Sequence, residues 1–511
     1  MNRFAARWLL LIFPSLLGYP AWAQTATAHL AEAKARKADA SRAIAPISRQ
    51  QLFGTLPLAT RSEETRTLIE TAIDQYENVV LDASIASSRK AAEKDPHSAL
   101  AYAVWSFAAR RGEPAPEAQQ RAKNLAPHAT PDERLLVNWM LDVQQGNMLP
   151  AIRTMNDLLA RFPNDKHILY LTSEWLYFQQ DYDRSRKMME KILELDSNFA
   201  PALNMLGYAN IETGEPHPEK AIEYLKRYAA AQPQQPNPED SLGEVLRYTG
   251  DDLNSLVHYG TALSIDPHFV TSRIGLGDTS ALMGDYPRAR AEYDKALPII
   301  STARDRLHAQ FQRTLVYFWE GQPAQGRTAL DVLFEDVRRQ KDPYALYEVG
   351  FGRAQLAAEA KDELEQLRKV EALLVKPMRG MSESDLNVSL AAVLCEEARV
   401  AALHGHGDAA QEAVIKLERA AKRSRDLVVE DYYEAAQGYV LFAKGDFANA
   451  AEELAGNPRS PLALQQLALA QEKLGDTAAA EAVRTRLKYL RAPTVEWYLV
   501  THAATATATA N

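Results

Sequence analysis

Glycines recur along this chain at a fixed interval: Gly112 to Gly146, Gly243 to Gly277 and Gly250 to Gly284 are each 34 residues apart. A period of that length accommodates two amphipathic helices and their turns, a unit that cannot bury its apolar face alone, so neighbouring units must stack. At roughly 150 residues per domain, 511 residues would suggest about three domains, but a repeating chain grows by adding units to one continuous core.

Departures from the period fall where a helix pair tolerates them. Gly214 to Gly250 is 36 residues, and Glu215-Pro216-His217-Pro218 places the two extra residues in a turn. Gly445 to Gly475 is 30, and Gly456-Asn457-Pro458 shortens the intervening second helix. Inter-helix turns are expected at Gly146-Asn147, Gly214-Glu215, Gly250-Asp251, Gly284-Asp285, Gly407-Asp408, Gly445-Asp446 and Gly475-Asp476. Small residues stand where helices must cross closely: Gly207, Gly243, Gly277 and Gly438 in first helices, and Ala151, Ser185, Ala221, Ser255, Ala289 and Ala450 in second helices. Second helices are expected to end at Asp95-Pro96, Pro163, Asp196, Pro233 and Asp266-Pro267, because proline cannot continue a helix. The register predicts about twelve units beginning near 65, 99, 132, 166, 200, 236, 270, 307, 344, 385, 431 and 461. It divides the chain into a leader (24–64), a first array (65–375), a second array (376–492) after an offset at Lys376-Pro377 to Ser382, and a disordered tail (493–511) in which Thr-Ala alternation cannot pack.

Charge and export signals narrow the classes of function. With 58 basic and 67 acidic residues the net charge is −9, which repels phosphate polyanions and excludes a nucleic-acid partner in the absence of a basic stripe. The 46% apolar content supplies a long core, whereas a mean hydropathy of −0.33 excludes a multi-span membrane protein. Arg3 and Arg7, the apolar run Trp8 to Leu17 and Ala21-Trp22-Ala23 predict a signal peptide over 1–23, cleaved before Gln24, and hence a periplasmic or secreted protein; retention as an anchor is the alternative. Cys395 is the single cysteine, so no internal disulfide can form, and its Ala- and Leu-rich surroundings predict a buried small hydrophobe.

Taken together, the 34-residue period, the small residues at crossings and the unit Val270 to Leu297, with Gly277, Gly284-Asp285-Tyr286, Ala289, Tyr293 and Ala296 in register, resemble the tetratricopeptide repeat superfamily over about 85% of the chain. The stretch Leu56 to Glu64 and then Ala83 to Pro96 is similar to the entry of secreted bacterial members of that superfamily. The resemblance implies an all-α, right-handed superhelical solenoid. Thr60 with Glu63 is expected to form a capping box for the first helix.

Catalytic and metal chemistry find little footing. His404-Gly405-His406-Gly407-Asp408 has metal-like composition, but it occupies a turn and offers no fourth ligand, so neither metal nor cofactor is expected. Ser87 and Lys90 have a Ser-x-x-Lys spacing without its companion motifs, and no zinc-protease, nucleophile-elbow or phosphate-loop motif occurs. The protein is therefore expected not to be an enzyme; a hydrolase using the His404 region is the remote reading.

Inward-facing positions of the first helices remain as the candidate site. Tyr170, Glu174, Tyr177, Asn204, Tyr208, Glu244, Arg247 and Asp278 are expected to line a concave, aromatic and acidic strip that binds a peptide rich in Lys, Arg and aromatic residues. Superfamily members that hold chaperone C-termini use a clamp of Lys, Arg and Asn, and the carboxylates here disfavour that role. The expected function is an exported scaffold for another protein, with a carrier or assembly subunit of polysaccharide or outer-membrane export machinery as the alternative.

Overall fold

The computed structural model describes residues 56–58, 60, 62–110, 115–179, 181–212, 215–376, 381, 383–424, 426–457 and 459–508, with side chains to His502. The signal peptide, most of the leader and residues 377–380 and 382 of the offset lie outside the described residues. Twelve helix pairs follow one another. The first four are α1 (Glu63–Glu77) with α2 (Leu81–Lys94), α3 (Ala99–Ala109) with α4 (Pro116–Leu125), α5 (Pro131–Gln144) with α6 (Met148–Arg161), and α7 (Lys166–Phe178) with α8 (Tyr182–Leu195). The next four are α9 (Ala200–Ala209) with α10 (Pro218–Ala231), α11 (Pro236–Thr249) with α12 (Asp252–Ile265), α13 (Val270–Leu282) with α14 (Tyr286–Ala296), and α15 (Ala303–Trp319) with α16 (Pro323–Gln340). The last four are α17 (Pro343–Gln355) with α18 (Ala360–Leu374), α19 (Glu383–Leu403) with α20 (Gly407–Ser424), α21 (Leu427–Ala443) with α22 (Phe447–Leu454), and α23 (Pro461–Lys473) with α24 (Thr477–Leu487). A single helix, α25 (Val495–Ala508), ends the described chain. The architecture is an all-α solenoid of tetratricopeptide-like pairs, and no strand occurs among the described residues.

Turn chemistry accounts for the pairing. At Gly250 the backbone turns left-handed (φ 83°), its N–H bonds the Arg247 carbonyl at 3.0 Å, and the next N–H, of Asp251, bonds Leu246 at 2.9 Å. That arrangement closes the orphan carbonyls of α11, while the Asp251 carboxylate accepts from Asn254 N–H and opens α12. Glycines 146, 284, 445 and 475 repeat the positive φ as expected. In the His404 turn it is Gly405, not Gly407, that turns left-handed, so that Gly407 already begins α20; Gly321 performs the same task before Pro323. Helix α1 is capped by Ser62, whose side chain accepts from Thr65 N–H, in place of the expected Thr60–Glu63 box; Thr60 instead donates to the Ser62 carbonyl. Caps one turn upstream, Thr302 and Asp426, likewise start α15 and α21 at 303 and 427, four residues before the expected 307 and 431.

Helix crossings use the small residues as anticipated. A Cβ placed on Gly277 would lie 2.6 Å from Tyr293 Cε1, and one on Gly438 would lie 2.6 Å from Leu454 Cγ, so each glycine makes room for a large side chain of its own second helix. In the fourth pair the crossing is a hydrogen bond, Ser185 Oγ donating to the Ser173 carbonyl at 2.7 Å. Cys395 is buried in an apolar cluster with Tyr347, Leu394, Leu417 and Tyr439, and burial pushes its thiol far up.

Two corrections concern organisation. Compact units divide within α9, after Met205, and not at 375/376, where the shared apolar cluster carries α17 and α18 on into α19 to α23. Residues 493–508 are not a disordered tail: Thr494 caps α25 and Val495 joins an apolar cluster with Leu307, Phe311 and Phe318 of α15, while 509–511 lie outside the described residues. The apolar run from Val495 to Val500 supplies a packing face that the following Thr-Ala alternation lacks.

Candidate partner-binding faces

In the first unit, Glu174 of α7 accepts the Tyr76 hydroxyl at 2.6 Å, and Arg110 donates to that same oxygen at 3.0 Å. Beside them Glu77 bonds His167 Nδ1 at 2.9 Å, and the Tyr170 hydroxyl donates to the Glu77 carbonyl at 3.3 Å. Burial pushes the Glu77 carboxyl up to about 7 against the pull of His167. Burial also draws the imidazole down, but the Glu77 hydrogen bond and charge outweigh it and leave His167 raised. Tyr177 packs edge-on against Phe178 and Tyr182.

In the second unit the polar residues form a ladder. Tyr208 donates to Glu244 at 2.8 Å, Tyr248 donates to the other oxygen of Glu244 at 3.2 Å, and Arg247 reaches Glu244 at 3.3 Å and Asp278 at 2.5 Å. Tyr293 completes it by donating to Asp278 at 2.7 Å. Burial pushes the Asp278 carboxyl up even though Arg247 opposes it.

The expected open strip is therefore corrected. Glu174 is 4% exposed, Glu244 5%, Asp278 3% and Arg247 1%, and Tyr170, Tyr177, Asn204 and Tyr208 are buried too. The carboxylates accept hydrogen bonds from phenols, Glu244 and Asp278 share the Arg247 guanidinium, and their burial keeps them from lining an open groove. Sequence reasoning placed these residues on the inner side of first helices but missed their partners Tyr76, Arg110 and Tyr293.

A different inner face, farther along the second unit, receives part of the chain itself. Tyr498 of α25 meets Phe318 and Trp319 of α15 edge-on, with ring centroids 5.7 and 5.4 Å apart. Ser460, at the start of α23, donates to Glu496 at 3.2 Å, and Gln465 of α23 donates to the Val500 carbonyl at 3.1 Å. Burial raises the phenols of Tyr347 and Tyr439, with Glu496 a minor contributor among the neighbouring charges. Each of these contacts is made to a first helix of a pair. Just upstream, Arg491 forms a forked ion pair with Asp252, with one nitrogen 2.8 Å from Oδ2, and also donates to the Arg247 carbonyl at 3.3 Å. Arg459 pairs with Glu212 at 3.1 Å.

Other perturbed groups are structural in setting. Arg399 lies between Glu396 (2.6 Å) and Glu363 (3.6 Å), and burial together with Glu396 pushes Glu363 up to about 8. Carboxyls with values pushed apart can serve as acid and base, but this pair is packed between α18 and α19 with its shared guanidinium locked in place. His404 Nδ1 contacts the Val400 carbonyl of its own helix at 2.9 Å, and no group of three or more His, Cys, Asp or Glu suited to a metal ion occurs among the described residues. No described helix is long and apolar enough to cross a membrane.

No family model and no curated protein matches this sequence. Among solved structures, yeast Tom70 is 14% identical with a TM-score of 0.42, covering 83% of this chain and 90% of its own. A tetratricopeptide repeat protein from Parabacteroides merdae is 15% identical with a TM-score of 0.29, covering 65% and 100%. PilW, a type IV pilus biogenesis factor, is 18% identical with a TM-score of 0.31, covering 45% and 98%. These are likenesses of fold alone.

Proposed function

We propose that the protein is an exported, non-enzymatic scaffold that holds another protein, and that its docking face is the inner side of the first helices from α15 to α23. The observation that carries this reading is that the face already accepts a helix, α25, through an aromatic cluster at Tyr498 and side-chain bonds from Ser460 and Gln465. Stacked helix pairs present their first helices along one side, and helix-in-groove recognition reuses such a side with aromatic anchors. The buried Tyr208–Glu244–Arg247–Asp278 ladder supports the array and does not contact the partner. Export follows from Arg3, Arg7, the run from Trp8 to Leu17 and Ala21-Trp22-Ala23.

Crosslinking in envelope fractions, followed by mapping of the crosslinked residues, tests the reading. A discrete protein crosslinked to the first helices of residues 303–473 is the expected result; crosslinks confined to second helices would overturn it. N-terminal sequencing should begin at Gln24, and a protein that begins at Met1 in the cytoplasm would remove export from the proposal.

A further inference from the structure

Helix α25 is not placed like an ordinary end cap. A capping helix would cover the last pair, α23 and α24, but α25 also reaches back to α15, four pairs earlier, and its leading Arg491 grips Asp252, six pairs earlier. Val495, Tyr498 and Leu499 join the cluster of Leu307, Phe311, Leu315 and Phe318, Glu496 and Val500 are buried as well, and Thr501 is exposed. The connection Arg491-Ala492-Pro493-Thr494 is short and irregular, so the helix is delivered to its seat at high effective concentration without being continuous with α24. Holding it there buries the Glu496 carboxyl, which accepts from Ser460.

We propose that α25 is an exchangeable occupant of the docking face, a tethered internal ligand displaced by a partner helix of the same chemistry. This deepens the proposed function and rests on its choice of face. The seat defines the partner: an amphipathic helix with a carboxylate in its first turn for Ser460, an aromatic residue two positions later for the Phe318–Trp319 pair, and an aliphatic residue beside it for the apolar cluster. Displacement requires the ligand to outcompete a tethered rival, so the intact chain binds such a helix weakly and a chain whose own helix is released binds it tightly. The Arg491–Asp252 pair is the catch: it fixes the start of the connection and is broken without disturbing the face.

A fluorescent peptide of residues 491–508 is titrated into the purified full-length protein and into full-length Arg491→Ala/Tyr498→Ala. The peptide should bind the double variant at least tenfold more tightly than the wild type, and a peptide carrying Glu496→Ala and Tyr498→Ala should lose that binding. Equal affinities for the two proteins, with the variant's helical circular dichroism unchanged, would overturn the proposal. If the variant does not fold, hydrogen exchange on the wild type decides: excess peptide should accelerate exchange of the chain's own 495–500 amides at least tenfold, and unchanged protection overturns the proposal. Peptide exchange without any crosslinked envelope partner would sink the scaffold reading and leave the exchangeable helix standing. A partner crosslinked to this face with no peptide exchange would do the reverse.

Discussion

Two stretches of first helices in the second unit, α11 to α13 and α15 to α23, have the same place in the repeat but end with opposite fates. Along α11 and α13 the inward positions are Glu244, Arg247 and Asp278, and they bond one another and the phenols of Tyr208 and Tyr293. Along α15, Leu307, Phe311 and Phe318 pack with Leu330, Leu333 and Val337 of α16 and Val349 of α17 in an apolar cluster that α25 joins through Val495. The polar stretch is tied by hydrogen bonds among its own residues, whereas the apolar stretch has taken an additional helix into its cluster. Charge at inward positions is therefore a poor guide to where a partner binds, and aromatic, aliphatic surface is a better one.

The largest effect should come from breaking the ladder. Arg247→Leu leaves Glu244 and Asp278 buried without their countercharge, and removing one partner of a buried ionic network costs roughly 3 to 5 kcal/mol. Chemical denaturation should report a loss on that scale; a loss below about 1 kcal/mol would mean that the ladder is open to water and that the strip is available after all. The double substitution of Glu244 and Glu174 by Lys is accordingly expected to destabilise the protein, because both carboxylates are buried hydrogen-bond acceptors.

Next in size is a pH effect in the late repeats. Glu348 of α17 is buried, neither of its oxygens finds a hydrogen-bond donor among the described residues, and burial pushes it up to about 7, with Arg304 opposing and Asp342 adding to the rise. Its folded value exceeds its unfolded value of about 4.5, so between those values the folded state holds more protons and stability falls as pH rises. The full loss is on the order of 3 kcal/mol, at about 1.4 kcal/mol per unit. Glu348→Gln should match the wild type at pH 4.5 and exceed it at pH 8. Unfolding curves showing equal stability at both pH values would place a donor on Glu348 and make the late face as self-satisfied as the ladder.

A smaller loss, roughly 1 to 3 kcal/mol, is expected for Gly277→Leu, whose side chain would enter the space held by Tyr293. Because Tyr293 also bonds Asp278, this change should disturb the ladder while leaving the α25 seat intact; a midpoint that does not move in thermal unfolding would show that the crossing yields without cost.

Much of this was legible before any coordinates. Spacing placed the twelve first helices within four residues of their observed starts, and glycines 146, 250, 284, 445 and 475 marked turns correctly because a left-handed backbone strongly favours glycine. Burial of the ladder was harder to read: Arg247 and Asp278 are 31 residues apart and Tyr208 and Glu244 are 36, so partners sit about one repeat away, and opposite charges at near-period spacing were the available signal. Helix α25 was hidden by the Thr-Ala run behind it, although Thr494 followed by Val495, Trp497, Tyr498, Leu499 and Val500 already spelled a cap and an apolar face. Its seat could not be read at all, since Arg491 and Asp252 are 239 residues apart and no local pattern links them.

Hydrogen exchange on full-length Tyr498→Ala tests the difference between the two faces most directly. Loosening α25 should lower protection in residues 303–319 and 461–473, where it packs, and leave residues 236–249 and 270–282 unchanged. Equal loss of protection across both stretches, or no loss in either, would contradict an inner face divided into a self-satisfied ladder and a helix-receiving surface.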